Sequence, residues 1–393
     1  MLIETDILVA GAGPAGLAAA CVFGAAGHRV TLVDPAAPIT GEDDPGADLR
    51  TTALLQPARD LLGQAGVWDR LAPHAAELWT MRIIDAAQTP PVSRDFQARD
   101  ISDAPFGWNF PNWLLRREML ATLNDLSTVT PRFGTGVTGL LCRDTEARVT
   151  LSDGTRIAAQ LVVACDGKAS PLRALAGIGH RTVRYGQTAL VFAVAHRVPH
   201  DNVSTEIHKT GGPFTLVPLP DRAGQHRSAI VWMDSHAEQA RRAALEETAF
   251  TAEMNARAVD VLGPLTLISG RASWPITSVV AERLADRRLC LAAEAAHGMP
   301  PIGAQGLNTS LKDIAALRDL CRPGEIGSAA MTRAYARRRT PDILLRMTGI
   351  DLLNRMSIAQ NSLAQRARGL GVAAFHDIPP VRRGLMRLGL GTV

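Results

Sequence analysis

Apolar and polar positions along the chain change period several times, and each change marks an element. Residues 5–10 (TDILVA) read as a buried strand, residues 14–26 as a helix of small residues, and residues 29–34 (RVTLVD) as a second strand. That is a βαβ opening. Residues 38–48, rich in Pro, Gly and Asp, read as a loop. The spacing over 50–71 predicts a helix that carries Arg50. Strand-like pieces follow near 78–86, then a helix near 113–126 after Pro111, then short strands across 133–165 ending in LVVACDG. From 186 to 233 the pattern turns β-rich and alternating, with no helical period: TALVFAVAHRV, STEIHKTGGPFTLVPLP, HRSAIVWM. This predicts an antiparallel sheet inserted between two halves of the first domain. A charged helix is expected over roughly 236–261, a buried strand over 287–293 (RRLCLAA), a helix over 305–320 and a mostly helical tail.

Composition narrows the class. With 393 residues, 46% hydrophobic and 20% charged, the chain can bury a large core in two or three domains. The first residues show no basic and apolar leader pattern, and no apolar run reaches the ~18 residues of a membrane span. A cytoplasmic protein, peripheral at the inner membrane if membrane-bound, is expected. The five cysteines are scattered, so neither a disulfide framework nor a metal site is expected. Net charge is +4, unevenly spread: residues 331–393 hold eleven Arg against three acids, a net +8, which leaves −4 for the rest. A basic tail on an acidic body suggests an anionic partner. No nucleic-acid motif is present, so a membrane surface or another protein fits better.

Candidate chemistry begins at Gly11-Ala12-Gly13-Pro14-Ala15-Gly16, between a strand and a helix. Gly11 permits the tight turn, Gly13 lets backbone approach a pyrophosphate at the positive helix end, and Gly16 lets helix pack on strand. Asp34 ends the second strand, where a carboxylate can bind a ribose hydroxyl. These residues predict dinucleotide binding without separating FAD from NAD.

Two further stretches make that separation: Asp166-Gly167-Lys168-Ala169-Ser170-Pro171-Leu172-Arg173, and residues 294–308, EAAHGMPPIGAQGLN. With GxGxxG, DGxxSxxR and GDAAHxxxPxxGQGxN in this order, the chain resembles the flavoprotein aromatic hydroxylases of the p-hydroxybenzoate hydroxylase fold. Within them it is most similar to the ubiquinone-biosynthesis hydroxylases, a likeness shared by FGWNFPNWLLRREML and by the tail with IPPVRR. The resemblance covers about 320 residues. It implies an α/β fold: a Rossmann-like FAD-binding domain (1–75, 101–180, 276–330), an inserted antiparallel β-sheet substrate domain (76–100, 181–275) and a basic helical C-terminal region (331–393).

It also implies roles. Asp34 matches the acid on the adenosine ribose, Arg50 the arginine near the FAD pyrophosphate, and Arg116 a polar residue near the cofactor. Asp166 and Gly167 match the pair implicated in FAD and NAD(P)H binding. Glu294 matches the acid on the ribitol chain. Leu307 and Asn308 match residues whose backbone N–H groups face the flavin pyrimidine, where a helix N-terminus stabilises the charge of reduced flavin. Gly303 and Gly306 allow close backbone approach there. His297, Pro301 and Gly303 are the candidates for lining the flavin, with no assigned catalytic side chain. Ala293-Glu294 stands where Gly-Asp is usual, Asp34 where Glu is common, and Thr309-Ser310 where smaller or apolar residues are usual.

The resemblance implies hydroxylation of an aromatic ring of a ubiquinone precursor, using NAD(P)H and O2 with FAD as the bound cofactor. NAD(P)H reduces FAD, O2 gives a flavin hydroperoxide, and its distal oxygen passes to a phenol, with a polyprenylated phenol as the expected substrate. Two alternatives stand beside it: a hydroxylase of a small soluble aromatic compound, and a non-catalytic FAD-binding accessory protein of a quinone-biosynthesis assembly. Trp108, Trp113 and Trp232 suit either a substrate pocket or plain core, with core favoured. His297 suits either a loop cap or a proton carrier. Arg337-Arg338-Arg339 reads as a solvated helix face.

Overall fold

The computed structural model describes residues 2–87, 90–209, 211–358 and 376–391. Its first sheet has a parallel core of five strands in the order Leu289–Leu291, Arg156–Ala164, Leu2–Ala10, Val30–Asp34, Val129–Phe133. Ile7, Leu8 and Val9 are each fully buried, as are Leu161, Val162 and Val163. Consecutive burial is what an inner parallel strand covered on both faces requires, and it explains the unbroken apolar runs. The helix Pro14–Ala25 packs between Asn112–Asp125 and Gln305–Leu320 on one face.

The second sheet has nine strands. His180–His196, Gln225–Ser235, Pro213–Arg222 and Val203–His208 pair antiparallel in that order, as the alternating pattern predicts. Ala272–Ala281 and the short His297–Gly298 extend it on one side. On the other side Thr80–Asp85 joins parallel to Val203–His208, followed by Val92–Gln97. The sheet is thus antiparallel except at one pair. Its core is aromatic: Phe192 and Phe214 lie edge-on to Phe250 and Trp232, with ring centroids 5.2 and 5.3 Å apart.

Two predicted helices differ from the structure. Over 50–71, Thr51–Leu55 is a strand paired with Gly107–Pro111; the helix begins at Gln56, where Pro57 occupies the first turn. Two threonines at the strand's start favour extended backbone, and Pro has no N–H to give inside a helix but suits its opening. Arg50 therefore precedes a strand and lies on no helix. Over 236–261 there are two helices, His236–Ala243 and Glu247–Ala258.

The tail is helical over Ala329–Ile358 and Pro379–Leu390. The longer helix touches both sheets. Tyr335 donates its hydroxyl to Leu291 O at 2.7 Å, while Asn354 Nδ2 donates to Gln187 Oε1 at 3.0 Å and Tyr185 donates to Asp351 at 2.7 Å. Arg366 and Arg368, counted in the basic tail, lie outside the described residues.

Candidate active site

The three motifs follow three neighbouring parallel strands. Gly11–Gly16 leaves Leu2–Ala10, Asp166–Arg173 leaves Arg156–Ala164, and Ala293–Asn308 leaves Leu289–Leu291. Carboxyl ends of adjacent parallel strands form one crevice, so residues nearly 300 positions apart share a site.

In the first loop the glycines divide by cause. Gly11 has φ +103, and a Cβ there would sit 2.3 Å from Cys165 O. A Cβ on Gly16 would sit 1.8 Å from Gly11 O. Both are demanded by the protein's own backbone. Gly13 is extended and a Cβ on it would meet nothing within 4 Å. The space it leaves open lies at the N-terminus of Pro14–Ala25, which has no side-chain cap. Free N–H groups and an open approach fit a pyrophosphate. Asp34 accepts from Ala12 N at 2.6 Å and from Ala36 N at 2.8 Å.

Arg50 and Arg116 converge on a residue that sequence reasoning missed. Arg50 makes a two-pronged contact with Asp48 (Nε to Oδ1 2.8 Å, Nη2 to Oδ2 2.7 Å), and Arg116 Nη2 reaches the same Oδ2 at 3.3 Å. Asn112 Nδ2 donates to it as well, at 3.0 Å. Burial alone would raise the Asp48 carboxyl, but the Arg50 guanidinium overrides it and holds the group below the usual carboxylate range. The other face of Arg50 stacks on Trp274, 3.9 Å from the ring centre. The Asp-x-Arg spacing was the available signal for Asp48; Trp274 had none, being more than 200 residues away.

The DGxxSxxR stretch is tied internally. Asp166 accepts from Ser170 Oγ at 2.6 Å and from Leu172 N at 2.9 Å, and burial pushes its carboxyl up. Buried Arg173 donates to Lys168 O at 2.7 Å and to Ala295 O at 2.8 Å, which fastens this turn to the 293–297 loop. Lys168 Nζ lies 3.6 Å from Glu294 Oε1; both side chains are partly exposed at the crevice.

At the third motif, Ala293 adopts left-handed backbone with φ +55. That conformation costs a non-glycine residue about 1–2 kcal/mol. His297 is buried, with Nε2 2.6 Å from Asp313 Oδ2. Gly303 and Ala304 are also left-handed and turn the chain into Gln305–Leu320. That helix has no side-chain cap, so first-turn N–H groups, Leu307's included, stay available. Asn308 instead uses its side chain as a staple: Oδ1 accepts from Leu55 N at 2.9 Å and Nδ2 donates to Ala53 O at 2.7 Å. Gly306 would meet nothing with a Cβ, and Pro301 is exposed.

Other candidates resolve differently. Trp232 is buried among Phe214, Phe250 and Met254, and Trp108 and Trp113 pack against the first core, so all three serve as core. Arg337 and Arg338 are exposed, but Arg339 is buried and donates to Asp313 Oδ1 at 2.7 Å. The solvated-face reading fails for it, because its position on the helix turns toward the buried Asp313.

A parallel sheet with its glycine loop, two basic groups and two further loops at one crevice defines a dinucleotide-binding flavoprotein. Residues 4–341 match the FAD binding domain family, and the chain belongs to that family as an FAD-dependent monooxygenase. It is 34% identical over 399 residues to the ubiquinone hydroxylase UbiL of Rhodospirillum rubrum, covering 99% of this chain and 90% of that one. It is 26% identical over 393 residues to 3-demethoxyubiquinol 3-hydroxylase of Escherichia coli, covering 98% of each. In fold it matches p-nitrophenol 4-monooxygenase PnpA of Pseudomonas putida with TM-score 0.79 at 20% identity, over 98% of this chain and 97% of the other.

Proposed function

We propose that this protein hydroxylates the aromatic ring of a ubiquinone precursor, with NAD(P)H as reductant and O2 as oxygen source. The observation that carries the reading is the 34% identity to a ubiquinone hydroxylase across 99% of the chain. When bound, FAD supplies the redox chemistry and the activation of O2; the protein orients the reactants and excludes water.

In this reading residues 1–75, 101–180 and 276–330 form the FAD-binding part, and 76–100 with 181–275 the substrate side. Gly11, Gly13, Pro14, Ala15 and Gly16 hold the pyrophosphate and Asp34 the ribose. Arg50 and Arg116 sit near the phosphates, Asp166 and Gly167 shape the crevice, and Glu294 binds the ribitol chain. Gly303, Gly306 and Leu307 face the flavin pyrimidine, Asn308 anchors the start of their helix to the Ala53–Leu55 backbone, and His297 supports the loop from within.

The substrate is a polyprenylated phenol collected from an anionic membrane surface. Leu344, Leu345, Leu352, Leu353, Leu385 and Leu388 are exposed on the two tail helices, which also carry the exposed Arg337, Arg338 and Arg383. Exposed apolar side chains on helices that also carry exposed cations suit an interface of that composition. Among the described residues, no helix is long and apolar enough to cross a membrane. Deleting the gene in its host and profiling quinone precursors tests the reading. A precursor short of one ring hydroxyl should accumulate; an unchanged profile would count against it.

A further inference from the structure

One buried carboxylate closes the loop that carries Glu294. Asp313 Oδ2 accepts from the backbone N–H of Ala293 at 3.1 Å and lies 2.6 Å from His297 Nε2, so it holds both ends of the 293–297 segment. Its Oδ1 accepts from Arg339 Nε at 2.7 Å. Arg339 is fixed in turn by Asp342 at 2.7 Å and by Thr309 O at 3.3 Å. Asp313, His297 and Arg339 are all buried. A buried ion pair is weak evidence of stabilisation, because desolvating both charges offsets their attraction; what it specifies is geometry.

Ala293 shows which geometry needs specifying. Glycine adopts left-handed backbone freely, whereas alanine at φ +55 must be held there. The bond from its N–H to Asp313 is the hold. Arg173, from the neighbouring motif, donates to Ala295 O at the middle of the same segment.

We propose that Asp313 is a positioning residue for the cofactor: it clamps the 293–297 loop, with Glu294 on it, in the shape that receives FAD. Arg339, reaching in from the tail helix, keeps that carboxylate charged and in place. The tail helix thereby becomes part of the cofactor site without touching it. The inference rests on the assignment of 294–308 to the flavin.

Rescue by glycine separates this role from a general core role. FAD affinity is measured by flavin fluorescence quenching on apoprotein, and folding by thermal melts without FAD, for wild type, Ala293→Gly, His297→Gln, Asp313→Asn and each of the last two combined with Ala293→Gly. His297→Gln removes one arm of the clamp and leaves the Asp313–Arg339 pair, so it carries the test even if Asp313→Asn does not fold. It should weaken FAD binding about tenfold, equivalent to about 1.4 kcal/mol. Adding Ala293→Gly should restore most of that affinity while changing the apoprotein's melting temperature no more than the same substitution does in wild type, because the loop reaches its shape without the clamp. Unchanged affinity in His297→Gln, or no rescue by Ala293→Gly, overturns the proposal. Full flavin retention by Gly13→Val, run alongside, would overturn the cofactor assignment beneath it and the proposal with it.

Discussion

Glycines 11, 13 and 16 sit within six residues, yet they answer to different partners. Gly16→Ala drives a Cβ into Gly11 O and should cost about 3 kcal/mol in apoprotein stability, read by urea unfolding. Gly13→Val places its side chain in space that the protein itself leaves empty. It should leave the apoprotein's unfolding midpoint nearly unchanged and abolish FAD binding. A Gly13→Val protein that unfolds early would mean the residue serves packing. Acid stability is also set by single residues. Burial would raise Asp48, Asp313 and Asp342, but Arg50 for the first, His297 and Arg339 for the second, and Arg339 with Arg346 for the third hold them below the ordinary range. Such a group binds its proton more readily when unfolded. Its stabilisation is therefore complete above the unfolded value of about 3.9 and is lost as pH falls through the lower folded value. Apoprotein melting temperature should drop steeply below about pH 4. Asp48→Asn should melt lower at neutral pH and fall less on the acid side; parallel curves would exclude Asp48 as a contributor.

At the scale of elements, strands with two buried faces and the period-two segment were legible, because burial writes itself into local pattern. Thr51–Leu55 was not. Its extended form depends on pairing with Gly107–Pro111, where Gly107 lies so close beneath Leu54 O that a Cβ would stand 2.5 Å from it. No window around residue 50 contains that information. Arg339 was illegible for a similar reason: its partner Asp313 belongs to another helix. The long tail helix was expected in outline, but not that it bridges two sheets. Tyr335 marks its seat on the first. Tyr335→Phe leaves Leu291 O without this donor and should cost about 1 kcal/mol while FAD content stays full. Loss of flavin instead would place Tyr335 in the cofactor site.

Across the whole molecule, the order of three motifs revealed the cofactor, since each follows a parallel strand and those strands are neighbours. The contacts of Arg173 with Ala295 O and of Asp313 with Ala293 N, which tie separate segments of the site together, could be seen only in three dimensions. The basic tail divides between two tasks: Arg339 and Arg346 pair with Asp342, and Arg382 lies 3.3 Å from Asp100, whereas Leu385 and Leu388 remain exposed. Membrane docking is therefore tested best through the leucines. Leu385→Ser with Leu388→Ser should reduce sedimentation with anionic liposomes and leave FAD content and melting temperature unchanged. Equal sedimentation would exclude these leucines as a membrane-docking surface.

The proposed reaction inserts an oxygen atom from O2 into a phenolic ring. Purified holoprotein, supplied with NADPH and a polyprenylated phenol under ¹⁸O2, tests it most directly. The expected result is substrate-stimulated NADPH oxidation and a product heavier by one ¹⁸O atom. Product oxygen derived from water, or NADPH oxidation that yields only hydrogen peroxide with every phenol supplied, would contradict it.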